Sequence, residues 1–319
     1  MASAIIQDSW IHKLLVIDME LRDIEYFVVV AEHKNIGRAA EALGLSQPAL
    51  SKSLRRLEQS VRAKVVKRTT KGIELTAVGN ALLAKAERLR LTIDDISREA
   101  ADLGDGRAGH LRIGTGATLA QHAVAAACDA LMKQAPKISM TISVGDNKTM
   151  LASLRAGSLD LVVTSIRAPH YDDLVEERLY DEPFVIFAAT NHRLARRKHL
   201  TLADLTQERW AMGTVNGSTE RKLHQLFGDA GLGSPNITVE TPLLSLRHQL
   251  VASSDLLTFN SMRSAKYAAS RFRLAVLPVK DLTYVRPVGV IYRKDGYLSP
   301  TALKYIELLK ESANSTADV

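Results

Sequence analysis

The sequence contains a single cysteine among its 319 residues. A disulfide framework needs paired cysteines and a thiolate metal cluster needs several, so both are excluded. The one thiol, Cys128, stands in the apolar stretch AVAAACDALM, and we expect it to be a small buried residue. Long apolar runs are missing too, since no segment approaches the roughly 18 apolar residues that a membrane-spanning helix needs. The composition therefore predicts a protein without a membrane partner.

The sequence motifs of common enzyme classes are missing as well. The nine histidines show no HExxH or other ligand spacing, and there is no Gly-x-Ser-x-Gly nucleophile elbow. The glycine-rich GTGAT lacks the lysine of a P-loop. We therefore expect no catalytic residues, no metal ligands and no cofactor, and a protein that is not an enzyme.

The first 18 residues do not resemble a secretory signal. Asp8 interrupts their apolar patch, and Lys13, their only lysine, lies on the wrong side of it. We therefore predict an N-terminal extension over residues 1–18, a folded part that begins at Met19, and a cytoplasmic protein.

The composition is that of a globular protein, and its basic charge is concentrated in one segment. With 46% apolar and 24% charged residues, the chain can form two or three domains with ordinary cores. Its formal charge is +7, and nearly all of the excess lies between Ser46 and Leu75, where eight basic residues stand against two acidic ones. Such a patch indicates a polyanionic partner. Its basic members are Lys52, Arg55, Arg56, Arg62, Lys64, Lys67, Arg68 and Lys71.

Three helices and a hairpin are predicted around this patch. Apolar residues at helical spacing in LRDIEYFVVVAEH predict a first helix, and IGRAAEALG predicts a second that ends at Gly44. Ser46 is placed to cap a third helix, whose first turn accommodates Pro48 and whose inward face begins at Leu50. Two strand-like pieces, AKVVKR and GIELT, flank the turn-prone TTKG. We assign this winged helix-turn-helix plan to residues 19–76.

A heptad pattern follows the hairpin. Apolar or alanine residues recur at alternating steps of four and three over three repeats, while the other helix faces are charged. We therefore assign residues 77–103 to a linker helix that pairs with a second copy; packing on its own domain is the alternative. GDGRAG, residues 104–109, is predicted to be a hinge. The heptad positions are Leu82, Ala86, Leu89, Ile93, Ile96, Ala100 and Leu103.

Residues 110–315 alternate between strand-like and helix-like segments. Candidate strands are LRIGT, MTISVG, LDLVVTS, PFVIFAA, WAMGT, ITVET, LLTFN, LAVLPV and PVGVIYR, with helices such as LAQHAVAAACDALMKQ, KTMLASLRAG and STERKLHQLFGDAG between them. Such alternation is typical of an α/β domain whose sheets are covered by helices. We predict two subdomains, the first over about 110–183 and 285–315 and the second over about 184–284.

The chain from Met19 to about Glu311 resembles the LysR-type transcriptional regulators. The signature AAEALGLSQPALSKSLRRLEQ, followed by KRTTKGIELTAVG, is similar to the DNA-binding segment of this family. LRIGT, LRAGSLDLVVTS and NHRLA are similar to landmarks of its effector domain. The family usually has Gly and a Leu-Phe pair where this chain has Arg62 and Val65-Val66. The resemblance implies an effector-binding domain like that of periplasmic binding proteins.

The third helix carries the predicted DNA contacts. A B-DNA major groove admits one α-helix, and its floor is read by short polar side chains. Gln47 can bind adenine, Lys52 and Arg55 can reach guanine or the backbone, and Arg68 on the wing suits phosphate. A solvated basic face is the alternative for each residue alone. The full set of predicted contacts is Ser46, Gln47, Pro48, Ala49, Ser51, Lys52, Arg55, Arg68 and Lys71.

An effector site is expected between the two α/β subdomains. Helix N-termini collect at the carboxyl ends of strands, where free N–H groups favour an anion. By the resemblance, Thr118 and Thr115 are the first ligand candidates; plain helix capping is the alternative for each hydroxyl. Arg221 and Arg247 can neutralise a carboxylate or form surface ion pairs. The predicted effector contacts are Thr115, Thr118, Ser165, Ser218, Thr219 and Ser245.

The predicted partners are double-stranded promoter DNA, a small-molecule effector and further copies of the chain. The heptad helix implies a dimer on a partly palindromic site, and the resemblance implies a dimer of dimers. The effector is expected to be anionic or derived from an aromatic compound or a sugar. The alternatives are a cytoplasmic solute-binding protein and an architectural DNA-binding protein that needs no ligand.

Overall fold

The computed structural model describes residues 19–70, 72–105, 109–166, 170–213, 217–280 and 282–315. The predicted N-terminal extension, Lys71 and residues 106–108 of the predicted hinge lie outside these ranges. The chain divides after Ser97 into two compact units. Within the described ranges, no helix is long and apolar enough to cross a membrane.

The first unit contains three helices and a hairpin. These are α1 (Leu21–His33), α2 (Ile36–Ala42), α3 (Gln47–Ser60), β1 (Val66–Thr69) and β2 (Gly72–Leu75), and β1 pairs antiparallel with β2. Phe27, Leu57 and Val65 lie at the centre of their common core. The predicted winged helix-turn-helix is confirmed. The long helix α4 (Ala77–Asp105) follows.

Local sequence sets where these helices begin and end. The side chain of Asn35 accepts a hydrogen bond from the Arg38 backbone N–H at the start of α2. The Ser46 hydroxyl accepts one from the Ala49 N–H at the start of α3, as predicted. Each of these bonds satisfies a backbone donor that has no partner within its helix. Gly44 takes a φ of +64°, which turns the chain sharply between α2 and α3.

A buried carboxylate joins α1 to α3. Asp23 is fully buried, its carboxylate accepts a 2.5 Å hydrogen bond from the Ser53 hydroxyl, and Arg56 Nε lies 2.6 Å from Asp23 Oδ2. Burial raises the pKa of Asp23, but the hydrogen bonds from Arg56 and Ser53 outweigh burial and leave the pKa below its ordinary value. Arg56 therefore belongs to the interior contact between helices.

The second unit is an α/β domain with a mixed sheet. Its strands are β3 (His110–Thr115), β4 (Ser139–Val144), β5 (Leu161–Ser165), β6 (Leu174–Ala189), β7 (Arg209–Met212), β8 (Asn236–Glu240), β9 (Thr258–Ser261), β10 (Leu274–Val276) and β11 (Val285–Arg293). Seven strands form one sheet in the order β10-β6-β11-β5-β3-β4, with β9 also paired to β6. Strands β7 and β8 form a separate parallel pair.

Helices cover these sheets. They are α5 (Ala117–Leu119), a π-helical segment (Ala120–Val124), α6 (Ala125–Gln134), α7 (Asn147–Arg155), α8 (Ser218–Asp229), α9 (Leu244–Ala252), α10 (Met262–Arg271) and α11 (Pro300–Ser315), with 3₁₀ turns at Arg193–Arg196 and Leu202–Leu205. One hydrophobic core surrounds Leu111, Leu131 and Tyr305, and a second surrounds Trp210 and Phe259. Separate cores around Leu111 and around Trp210 agree with the predicted α/β architecture, which is confirmed; the exact subdomain limits stay a prediction.

Three local expectations differ from the structure. Strand β6 begins at Leu174, well before the predicted PFVIFAA, because the charged segment ahead of it pairs with β11 through its backbone. The helix predicted over 119–134 contains a five-residue π segment. Helix α9 begins at Leu244 after the N-cap residue Leu243, so Ser245 is an exposed second residue of the helix and not its cap.

Candidate DNA-binding and effector sites

The first turn of α3 presents the predicted base-reading residues to solvent. Gln47, Pro48 and Ala49 are exposed, while Leu50 on the opposite face is fully buried. This division follows from helical periodicity, which turns successive side chains by about 100°. The packed face holds the helix in place, and the polar face can enter a DNA groove that is about as wide as the helix.

A surface groove connects this turn to the hairpin. Its volume is about 560 Å³, and it joins α3 to the exposed Arg68 of β1. Lys52 is exposed on the same helix. The hydroxyl of Ser46 already accepts the capping hydrogen bond from the Ala49 N–H, so a contact from this hydroxyl to DNA would be its second hydrogen bond. The predicted residues that line the groove together are Gln47, Pro48, Ser51, Arg55 and Arg68.

Lys64 also lines the groove and was not among the predicted contacts. Its Nζ lies 2.7 Å from the buried Glu58 Oε2, and the other Glu58 oxygen accepts a hydrogen bond from the Val65 N–H. Glu58 therefore anchors the chain between α3 and the wing. The signal in the sequence was the basic patch itself, but the patch alone does not distinguish a lysine in the groove from one on another face.

The predicted heptad positions form an apolar seam along α4, which is packed at its start and exposed further along the helix. Ala86 is buried in the core of the first unit, with Leu82 packed beside it. Further along, Leu89 is 38% exposed, Ile96 59% and Leu103 81%. Large apolar side chains in a row on one helix face are unfavourable in water. The seam therefore suits pairing with another apolar surface.

The last described turns of α4 contact residues next to the sheet of the second unit. Arg98 Nη1 and Arg112 Nη2 each lie 2.6 Å from Asp160 Oδ1, just before β5. The hydroxyl of Tyr297 donates a 2.9 Å hydrogen bond to Asp102 Oδ2. These contacts fix the last turns of the helix to the domain that follows it.

The predicted effector residues are placed differently from one another. Thr118 is half-buried at the start of α5, and its hydroxyl lies 3.4 Å from Asn260 Oδ1 near the end of β9. Thr115, by contrast, is fully buried, and its hydroxyl donates a 3.1 Å hydrogen bond to the Val163 carbonyl. Thr115 therefore braces β3 against β5 and does not present its hydroxyl to a ligand.

The remaining hydroxyls lie at strand and helix ends. Ser165 is half-buried at the end of β5, where its carbonyl accepts a 3.5 Å hydrogen bond from Asn147 Nδ2. Ser218 and Thr219 form the first turn of α8, and Arg286 Nη2 donates a 3.4 Å hydrogen bond to Thr219 Oγ1. Free N–H groups in such a first turn favour an anion.

Two basic residues of α9, Arg247 and His248, are buried, which the sequence pattern did not indicate. Arg247 is 7% exposed, so a surface ion pair, one of its predicted roles, is wrong. His248 is also buried, and burial, together with the positive charge of Arg247 and the nearby His122, lowers its pKa to about 4. Its ring is therefore neutral at pH 7. Within the described residues, no group of three or more His, Cys, Asp or Glu side chains is placed to hold a metal ion.

A winged helix-turn-helix, a long helix with an apolar seam and an α/β domain together define a DNA-binding regulator with a ligand-binding domain. The family comparisons agree. A family described as "Bacterial regulatory helix-turn-helix protein, lysR family" matches residues 21–80, and one described as "LysR substrate binding domain" matches residues 104–314. The chain belongs to the LysR family of DNA-binding transcriptional regulators.

Individual relatives span nearly the whole chain. The HTH-type transcriptional regulator GbpR of Azospirillum brasilense is 26% identical over 303 residues, which cover 93% of this chain and 87% of that protein. The DNA-binding transcriptional dual regulator OxyR of Escherichia coli is 26% identical over 300 residues, covering 94% and 96%. The structure of full-length CbnR complexed with its target DNA is similar in fold, with a TM-score of 0.61, 20% identity, and coverage of 92% and 100%.

Proposed function

We propose that this regulator reads promoter DNA with the first turn of α3 and changes its DNA binding when a small molecule occupies the second unit. The observation that carries the proposal is the groove between α3 and the hairpin, which Gln47, Ser51, Arg55 and Arg68 line together. Short polar side chains and guanidinium groups in one groove suit base edges and phosphates together.

Each residue of this surface has a role that its chemistry allows. Gln47 can form a bidentate pair with adenine, while Pro48 and Ala49 offer apolar contact to thymine methyl groups. Lys52 and Arg55 can reach guanine or the backbone. Arg68 on the hairpin contacts phosphate, which positions the protein without reading sequence.

A dimer formed along the α4 seam would place two recognition helices on one DNA molecule. The exposed apolar positions at Leu89, Ile96 and Leu103 support this arrangement, since a second copy of the same helix offers a matching seam. A partly palindromic site with half-sites about one helical turn apart would then be bound by the dimer.

The effector is proposed to bind where strand ends and helix starts meet in the second unit. Thr118, Ser165, Ser218 and Thr219 are half-buried at such ends, so their hydroxyls are within reach of a ligand. A small anionic compound, or one derived from an aromatic or a sugar, suits this mixture of hydroxyls and helix N-termini. The ion pairs of Asp160 with Arg98 and Arg112 would carry a ligand-dependent change to the linker helix.

The variant Gln47→Ala tests the DNA-reading role. Loss of a bidentate pair should weaken binding to a selected operator by roughly 5- to 150-fold, corresponding to about 1–3 kcal/mol. Binding to unrelated DNA should stay unchanged, because that binding depends on phosphate contacts. Fluorescence anisotropy on both DNAs measures the two affinities.

The matched control is Gln59→Ala, which removes the same side chain from an exposed position in the last turn of α3. The control should bind both DNAs like the wild type. Equal weakening of operator and unrelated DNA by Gln47→Ala would show that Gln47 does not read bases.

A further inference from the structure

Arg247 is a buried cation that no described carboxylate neutralises. Its side chain lies on the inner face of α9 beside His248 and Val251. Across the described residues no carboxylate pairs with it, and its Nε has no hydrogen-bond partner. Burial lowers the pKa of Arg247 to about 10, so the group stays protonated at pH 7. A buried charge without a partner is strongly unfavourable, which leaves a place for an anion.

The guanidinium lies at the strand edge proposed to face the effector. A Cβ built on Gly213 would lie 3.1 Å from Arg247 Nη1, and Gly213 follows the last residue of β7. Strand β7 runs parallel to β8 and, through the Trp210–Leu257 bridge, to β9. The carboxyl ends of all three strands therefore share one edge. Thr118 reaches the same edge through its hydrogen bond with Asn260.

Among the described groups around it, the charge of Arg247 stays uncompensated. Arg263 on neighbouring α10 lies 3.2 Å from Glu182, so its charge has a partner. His248 is neutral at pH 7, because its pKa is lowered to about 4. His122, on the π segment, is edge-on to Tyr267 with a centroid distance of 5.2 Å, and its Nε2 has no hydrogen-bond partner in the part of the chain that the structure describes.

We propose that Arg247 anchors the effector by binding a carboxylate group, so that the effector of this regulator is a monocarboxylate. The Nε and one Nη of a guanidinium form a planar pair of donors that matches the two oxygens of a carboxylate. A single uncompensated charge matches a monoanion, whereas a phosphate monoester carries −1.5 to −2 and leaves an excess negative charge. The inference rests on the proposed effector response.

The test compares the wild type with Arg247→Met, which keeps a long side chain and removes the charge. Without added compounds, Arg247→Met should melt higher than the wild type by about 3 °C, because an unpaired buried charge is gone. The wild type should be stabilised by benzoate, 4-hydroxybenzoate, pyruvate or gluconate, in a saturable manner, and not by benzamide, pyruvamide or glucose. Arg247→Met should lose that response.

Two further variants sharpen the comparison. Arg209→Met removes the same charge from an exposed ion pair with Asp255 and should keep the carboxylate response. Arg247→Lys keeps the charge but loses the planar donor pair, so a weakened response is expected.

Three results would overturn the inference. A lower melting temperature or failed folding of Arg247→Met would show that the guanidinium stabilises the fold through contacts within the protein and is not an unpaired charge. An equal carboxylate response in wild type and Arg247→Met would place the ligand elsewhere. If the wild type is stabilised by glucose 6-phosphate, or by none of the tested carboxylates, monocarboxylates are excluded as the effector class. Operator binding by the same proteins is measured separately, since its absence would instead refute the proposed function.

Discussion

At the scale of single residues, the left-handed backbone conformation of Arg62 is strained; among the described residues, Lys34 is the other non-glycine residue with a positive φ. Arg62 has a φ of +52°, where a residue with a Cβ is disfavoured by about 1–2 kcal/mol. It lies two residues after the end of α3, beyond the C-cap Val61, and the next residue, Ala63, donates its N–H to the Glu58 carbonyl at 3.1 Å. The left-handed turn brings Val65 into the core. LysR-type regulators usually have glycine here, which adopts this conformation without strain.

The variant Arg62→Gly should therefore stabilise the first unit. We expect its free energy of unfolding to rise by about 1 kcal/mol, the strain released less the added flexibility of the unfolded chain. Urea unfolding followed by circular dichroism measures this. Arg62→Ala is the matched control, because it removes the same charge and keeps the Cβ. A rise of the same size in both variants would assign the gain to the lost charge.

At the scale of elements, α4 combines two environments along one apolar seam. Ala86 is packed within the first unit, while Ile96 and Leu103 are exposed in the single chain. The same heptad repeat therefore serves internal packing at its start and offers an unpaired surface further along. Burying one such side chain contributes about 1.5–3 kcal/mol.

A charge introduced in the middle of this seam should weaken the dimer. Ile96→Asp affects both copies, so we expect the dimer dissociation constant to rise by more than about 10-fold, corresponding to at least 1.4 kcal/mol. Sedimentation velocity over a concentration series measures the constant. Ala101→Asp places the same charge on an exposed, off-seam position of the helix and should leave the dimer intact. A dimer unaffected by Ile96→Asp would show that the copies pair through another surface.

At the scale of the whole molecule, the two units should lose stability in different pH ranges. The pKa of His248 is about 4 when folded and 6.5 ordinarily, so below pH 6.5 the unfolded chain binds a proton that the folded second unit does not. That unit loses stability between about pH 6.5 and pH 4. In the first unit, the pKa of Asp23 lies below its ordinary 3.8, so the stability that Asp23 contributes is lost only as the pH falls below 3.8.

Scanning calorimetry of the full chain between pH 7.5 and pH 4.5 checks this order. The transition of the second unit should move to lower temperature as the pH falls, and His248→Asn should reduce that movement. The exposed His199→Asn is the control and should retain it. If His248→Asn melts with the same pH dependence as the wild type, His248 is not the group that binds the proton.

The sequence by itself determined the features that depend on neighbours along the chain. Helix periodicity, the Ser46 cap and the Gly44 turn are set by residues within one or two turns, so the helix-turn-helix and its exposed Gln47 could be predicted. The tertiary structure decided what depends on packing between distant segments. Thr115 is covered because β3 lies against β5, and Arg247 is buried because α9 packs on β6 and β7. Burial changes the energy of a hydroxyl or a cation, and burial is set only when the sheet assembles.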